Sequence, residues 1–123
     1  MTMSLEQQRA ADAWARTSGC DQAFVSLAKS VPALIMNSGL MQTLAFLESK
    51  KDPQHKRLAR DMRRWLAGQF RERFGGEDEP DYKAFMNALF EAEPREFQAI
   101  TAEAMAWLRW IRQIAPTRQV GAG

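Results

Sequence analysis

LIMNSGLMQTLAFLESKK, residues 34 to 51, is apolar for most of its length, is interrupted once at Asn37-Ser38-Gly39, and ends on two lysines. Leu34, Ile35, Leu40, Met41, Leu44, Ala45, Phe46 and Leu47 are too many for a narrow amphipathic stripe. They predict a helix from Leu40 to about Ser49, buried on most sides and central to a bundle. Gly39 reads as the stop of the helix before it, because glycine takes the left-handed backbone conformation without a Cβ penalty. No stretch of the chain shows the period-two alternation rich in Val, Ile and Thr that marks a strand. The fold expected is all-α, a single compact bundle of about six helices.

Helix punctuation extends this reading in both directions. Ser4 and Gln7 have capping-box spacing, and Leu5, Ala10, Ala13 and Trp14 read as the buried edge of a first helix ending near Ser18-Gly19. A second helix starts near Asp21 and carries Phe24, Val25, Leu27 and Ala28 inward. Pro32 either kinks it or sits in the first turn of the next, since proline lacks an N–H and clashes with the preceding turn. Asp52-Pro53 joins an N-cap acceptor to a proline at the first helical position, and the helix it opens should reach about Phe74 before Gly75-Gly76. Pro80 begins a short helix through Phe90, Glu93-Pro94 begins the last, and Pro116 is expected to end it. Residues 1–116 thus read as one helical domain, and 117–123, TRQVGAG, as a disordered tail with nothing to bury.

The 123-residue length suits one domain, and 46% hydrophobic with 26% charged residues places the chain among globular rather than disordered proteins. No uninterrupted apolar run approaches the ~18 residues of a membrane span, and the N-terminus has neither a basic nor an apolar leader region. The expectation is a cytoplasmic protein that does not enter a membrane. Cys20 is the only cysteine, which excludes an internal disulfide and suits a small buried hydrophobe.

Catalysis needs a nucleophile with its base, tuned carboxylates, or spaced metal ligands. His55 stands alone, and no Gly-rich phosphate loop or Gly-x-Ser-x-Gly elbow occurs. Glu77, Asp78, Glu79 and Asp81 cluster without the alternation of a calcium loop and read as a solvated turn. The chain is expected not to be an enzyme and to hold no metal or cofactor.

Charge placement is the distinctive feature. From Lys50 to Arg73 nine Lys and Arg face three acids, a balance of +6, whereas from Glu77 to Glu103 eight acids face two bases, a balance of −6. On a helical wheel Lys56, Arg57, Arg60, Arg63, Arg64 and Arg71 fall within an arc of roughly 120°. Leu58, Met62, Trp65, Leu66 and Phe70 lie opposite, with Asp61 and Glu72 at the margin. Arginines at i, i+3 and i+7 repel one another, so a compensating partner is inferred. The guanidinium fork suits phosphate, and a row of cations without Asn, Gln, Ser or Thr favours backbone contact over base readout. The six stripe cations are therefore candidate nucleic-acid-binding residues. On the last helix Trp110 sits between Arg109 and Arg112 at the edge of the core stripe, a candidate subunit interface. The acidic middle of one copy is expected to meet the basic stripe of the next, a head-to-tail contact that does not close.

Residues 26–50, SLAKSVPALIMNSGLMQTLAFLESK, and 103–115, EAMAWLRWIRQIA, together resemble the small all-helical subunit of the Cmr-type (type III-B) CRISPR RNA-guided effector complex. The matched positions run from Ala28-Lys29 through Pro32, Gly39-Leu40, Leu44 to Leu47 and Ser49-Lys50 to Trp107 and Ile114-Ala115. The resemblance implies a non-catalytic subunit that stacks in several copies beside the other Cmr subunits and lines the channel holding guide RNA paired with target RNA. Lys50 lies within the matched motif and the basic helix follows it, so the resemblance implies that Lys50, Lys56, Arg57, Arg60, Arg63, Arg64 and Arg71 are the RNA-binding residues. Two readings compete: a helical DNA-binding regulator, and an adaptor whose basic stripe docks an acidic protein.

Overall fold

Residues 2–121 are described by the computed structural model. Ser4 accepts the Gln7 N–H at 3.1 Å and donates its own N–H to Gln7 Oε1 at 2.7 Å, closing the capping box that starts α1 (Leu5–Arg16). Asp21 accepts the Phe24 N–H at 2.9 Å and opens α2 (Gln22–Ser49). Then follow α3 (Pro53–Gln69), α4 (Tyr82–Glu91), capped by Asp81 accepting the Ala84 N–H at 2.8 Å, and α5 (Pro94–Arg118). Asp52 makes no side-chain cap bond; proline sets the start of α3, and the Asp52 carboxylate lies 3.5 Å from His55 Nδ1 instead.

Among the described residues the helices number five rather than six, because the stop expected at Gly39 becomes a break inside one helix. Gly39 has φ 83° and ψ 166°, a region essentially reserved for glycine, and the two halves of α2 join across it. Pro32 lies within the first half, buried, and the break comes a turn and more later. The second half is not enclosed on most sides. Leu40, Thr43, Leu44 and Leu47 point inward, whereas Met36 in the turn before the break, Ala45 and Phe46 face outward. By length and composition alone α2 would suffice to cross a membrane, but its inward face is the side that α3 and α5 pack against.

Four other expectations change. The long basic helix stops at Gln69, not near Phe74; the Phe70 N–H bonds to Leu66 O, and turns then run to Gly75 and Gly76, both with positive φ. Leu5 and Trp14, read as core, are exposed, and the Trp14 ring lies instead under the Arg118 guanidinium at 3.9 Å. Pro116 does not end α5. It removes only its own N–H in the last turn, where Thr117 Oγ1 donates to Ile114 O at 2.7 Å. Residues 117–121, expected to fray, are tied back: the Val120 N–H donates to Cys20 O at 2.9 Å, and Gln119 Nε2 donates to Gln22 Oε1 at 3.0 Å. The rest of the expected tail, residues 122 and 123, lies outside the described residues.

Helix α5 packs along both α1 and α2, α2 also packs on α3, and α4 rests chiefly on α2. Phe24, Leu40, Leu44, Leu47, Met62, Leu66, Ile100, Trp107, Leu108 and Ile111 fill the space between them. Trp107 is fully buried, and its indole N–H donates to Asp12 Oδ2 at 2.7 Å. The Phe74 and Phe85 rings stack at 4.4 Å and pin α4. A carboxylate crosses the bundle as well. Glu103 on α5 takes both arms of the Arg9 fork at 2.7 and 2.8 Å and the Trp65 indole N–H at 3.1 Å, joining α1, α3 and α5.

Two glycines separate backbone strain from helix propensity. A Cβ at either position would meet nothing within 4 Å, so crowding is absent at both. Gly39→Ala is expected to destabilise by about 1–3 kcal/mol, through its positive φ alone. Gly68→Ala, inside regular helix α3, is expected to stabilise by about 0.4–1 kcal/mol. Urea melts of the two variants check both signs.

Candidate nucleic-acid interface

The amphipathic pattern of α3 sets its rotation: Leu58, Ala59, Met62, Trp65 and Leu66 turn inward and carry the cations outward. The cations then divide. Arg57 is not an open stripe residue, since Nη2 donates to Arg16 O at 2.6 Å and Ser18 O at 3.0 Å while its guanidinium lies 4.8 Å over the Phe24 ring. Arg63 is only 12% exposed; it bonds the Glu48 carboxylate and donates Nε to Pro80 O at 3.1 Å. Both belong to the packing between α3 and its neighbours. Arg71 lies beyond the end of α3, in the turn that follows, but stays 56% exposed.

The remaining stripe residues keep open surface. Arg60 is 51% exposed, Lys56 50% and Arg64 35%. Lys56 bonds the Glu48 carbonyl and lies 3.7 Å from its carboxylate. Lys50 is the C-cap of α2, exposed, with Nζ 5.1 Å from the Phe46 ring centroid. Exposed Lys51 has no ion-pair partner among the described residues.

Carboxylates lie inside this row. Asp61, expected at the stripe's margin, is 2% exposed and sits 3.5 Å from Arg60 Nη2 and 3.6 Å from Arg64 Nη2. The acidic loop, expected as a solvated turn, folds back so that Glu79 lies 3.9 Å from Arg60 and 4.0 Å from Arg64, and Asp78 lies 3.3 Å from Arg71. Part of the compensation expected from a partner is therefore supplied by the chain itself. Arg16, at the end of α1, joins the group around Asp61 although nothing in the α3 pattern points to it. Burial pushes the Asp61 carboxyl above its ordinary range, against the pull of Arg60, Arg16, Arg64 and Arg57.

At the α1–α5 edge of the bundle Trp110 is half-buried and donates its indole N–H to Glu6. Arg109 and Arg112 are exposed beside it without an ion pair among the described residues, and Glu6 and Gln113 complete a shallow hollow. Cys20 is buried, its Sγ 3.3 Å from Ala115 O, and burial raises its thiol pKa. Among the described residues no three His, Cys, Asp or Glu side chains are placed to hold a metal ion.

The sequence pattern of the CRISPR-associated protein family Cas_Cmr5 matches residues 5–117, a span from the first residue of α1 into the last turn of α5. One curated relative, the CRISPR system Cmr subunit Cmr5 of Thermus thermophilus, is 28% identical over 89 residues, which make up 72% of this chain and 68% of the relative. The crystal structure of a CRISPR-associated Cmr5 family protein from Thermus thermophilus matches with a TM-score of 0.73 at 25% identity, covering 94% of this chain and 97% of that one.

Two substitutions test the split between packing and open cations. Arg63→Ala leaves the Glu48 carboxylate and Pro80 carbonyl without their donor and is expected to lower stability by about 1.5–3 kcal/mol, measured by urea melts. Asp61 tests the sign of a raised pKa. Its folded carboxyl holds a proton above the ordinary 3.8, so the stability this contributes is complete below about pH 4 and is lost as pH rises through the folded value. Wild type should therefore lose stability over that window relative to Asp61→Asn, which keeps the shape without ionising. Parallel stability-against-pH curves for the two proteins would refute this.

Proposed function

The chain belongs to the Cmr5 family of CRISPR-associated proteins, and on that premise we propose that it is a non-catalytic small subunit of a type III-B effector whose α3 face holds the backbone of guide and target RNA. The observation that carries this reading is the row of part-exposed Arg60, Arg64 and Arg71, flanked by Lys50, Lys51 and Lys56. Such a row offers charge without the Asn and Gln side chains that address base edges, so it suits phosphate and leaves sequence to base pairing. Arg57 and Arg63 act behind it, by fixing the helix that presents it. Trp110, with Arg109 and Arg112, is the proposed contact to a neighbouring subunit or a stacked copy, where an aromatic anchor flanked by cations contributes most. Buried Cys20, with its raised thiol pKa, offers no ready nucleophile, in keeping with a supporting role. The working compartment of such an assembly is the cytoplasm.

A second reading is favoured by one observation. Asp78 and Glu79 lie against the row, so carboxylates fit it, as those of an acidic protein partner would.

Neutralising Arg60, Arg64 and Arg71 to Gln in the reconstituted complex separates the two. If the row contacts phosphate, RNA affinity falls and the slope of log affinity against log salt decreases by about 2 to 3, at ~0.7–0.9 for each phosphate neutralised by an arginine. RNA retention unchanged beside loss of a protein subunit would instead establish the adaptor.

A further inference from the structure

Between the end of α1 and the middle of α3, charge and hydrogen bonding are left unbalanced. Arg60 and Arg64 approach Asp61 at 3.5 and 3.6 Å, the Arg16 charge also acts on this carboxylate, and Arg57 holds the α1 terminus against α3 through Arg16 O and Ser18 O. Asp61 is the one buried acid at this junction and cannot neutralise all of them. Hydrogen bonding is incomplete too. Arg16 Nε and Arg64 Nε are buried without an acceptor, and Asp61 Oδ1 accepts no bond. Asp12 stands 3.8 Å from Arg16 Nε, within ion-pair range but not bonded to it.

Glu79 is the acid that approaches this cluster from outside. It lies 3.9 Å from Arg60 and 4.0 Å from Arg64, too far to hydrogen-bond, and is half exposed. Its neighbour Asp78 is almost wholly open to solvent. The segment bearing them leaves Gly75 and Gly76, and its far end is fixed where Pro80 O accepts from Arg63. Glu79 is thus held by long, solvent-screened ion pairs and Asp78 by an exposed hydrogen bond from Arg71 at 3.3 Å, between two anchored ends.

We propose that Arg16, Arg60 and Arg64 form one phosphodiester-binding site, and that Glu79 occupies it as a displaceable stand-in for phosphate while RNA is absent. This rests on the RNA-contacting reading above and adds to it a place, a third arginine and a competitor. A phosphodiester suits the cluster better than a carboxylate does. Its two non-bridging oxygens accept from several guanidinium donors at once, and its charge offsets the excess that Asp61 leaves. The acidic loop then acts as a gate on affinity. RNA must displace it, so weak or short RNA is refused and a continuous duplex backbone is admitted.

The full chain, titrated with a fluorescently labelled RNA duplex of mixed sequence at several salt concentrations, tests this. Glu79→Gln combined with Asp78→Asn is expected to raise affinity about three- to tenfold at low salt, the worth of two exposed ion pairs. Arg16→Gln is expected to lower affinity and to reduce the salt slope by about 0.9, one phosphate contact. The loop variant touches only exposed side chains and so leaves the fold intact even if Arg16→Gln destabilises it. If the loop variant leaves RNA affinity unchanged while Arg60→Gln with Arg64→Gln still lowers it, the gate is overturned and the RNA reading stands. If no variant alters RNA binding, both fail. A gain in affinity for poly-glutamate without a gain for RNA would also overturn the proposal, in favour of an acidic protein.

Discussion

Arg57 is the contact on which the working surface depends. Its guanidinium reaches from α3 to two backbone carbonyls at and beyond the end of α1 and stacks on Phe24 of α2, so one side chain fixes three helices relative to one another. Carbonyls at a helix terminus lack intrahelical partners, and a charged donor satisfies them more strongly than a neutral one. The residue that looks most like part of a nucleic-acid stripe therefore serves the packing. By bonding the Arg16 carbonyl it ties the end of α1 to the helix that carries Arg60 and Arg64.

A second polar crossing complements the first. Glu103 would be costly in the core were it not fully engaged by the Arg9 fork and the Trp65 indole. Its three donors come from α1 and α3, and its own backbone lies on α5, so only one stacking of these helices satisfies it. Apolar packing alone tolerates sliding between helices, whereas a buried fork does not. A fold shared with the Thermus protein at 25% identity is consistent with an architecture that asks mainly for apolar character at core positions.

Local signals made much of this legible, and long-range ones did not. Ser4 with Gln7, Asp21 and the Pro53 and Pro94 starts act within a few residues, and each marks a helix where expected, whereas α4 begins at Tyr82 on an Asp81 cap rather than at Pro80. Apolar spacing on α3 likewise separates its seam from its cations. The misreadings have tertiary causes. Pro116 lies inside α5 because the last turn is held by Thr117 and by Arg118 against Trp14, a residue near the other end of the chain. At the candidate site a helical wheel shows only its own helix. It cannot show that Glu48 claims Arg63, that Arg16 arrives from α1, or that the loop before α4 returns to the row. Asp61 escapes the wheel for the same reason, since a wheel places it at the margin while the folded chain buries it to 2% exposure.

The slight attachment of α4 has a bearing on how the molecule breathes. With α2 as its chief support and one aromatic stack as its pin, this helix and the loop before it are the segment that separates most cheaply from a core built by α1, α2, α3 and α5. Such a segment opens as its own cooperative unit, at a free energy below that of global unfolding, so its amides would exchange with solvent while those of α5 stayed protected. The chain thus carries its acidic patch on the part most able to move, and its arginines on the part least able to.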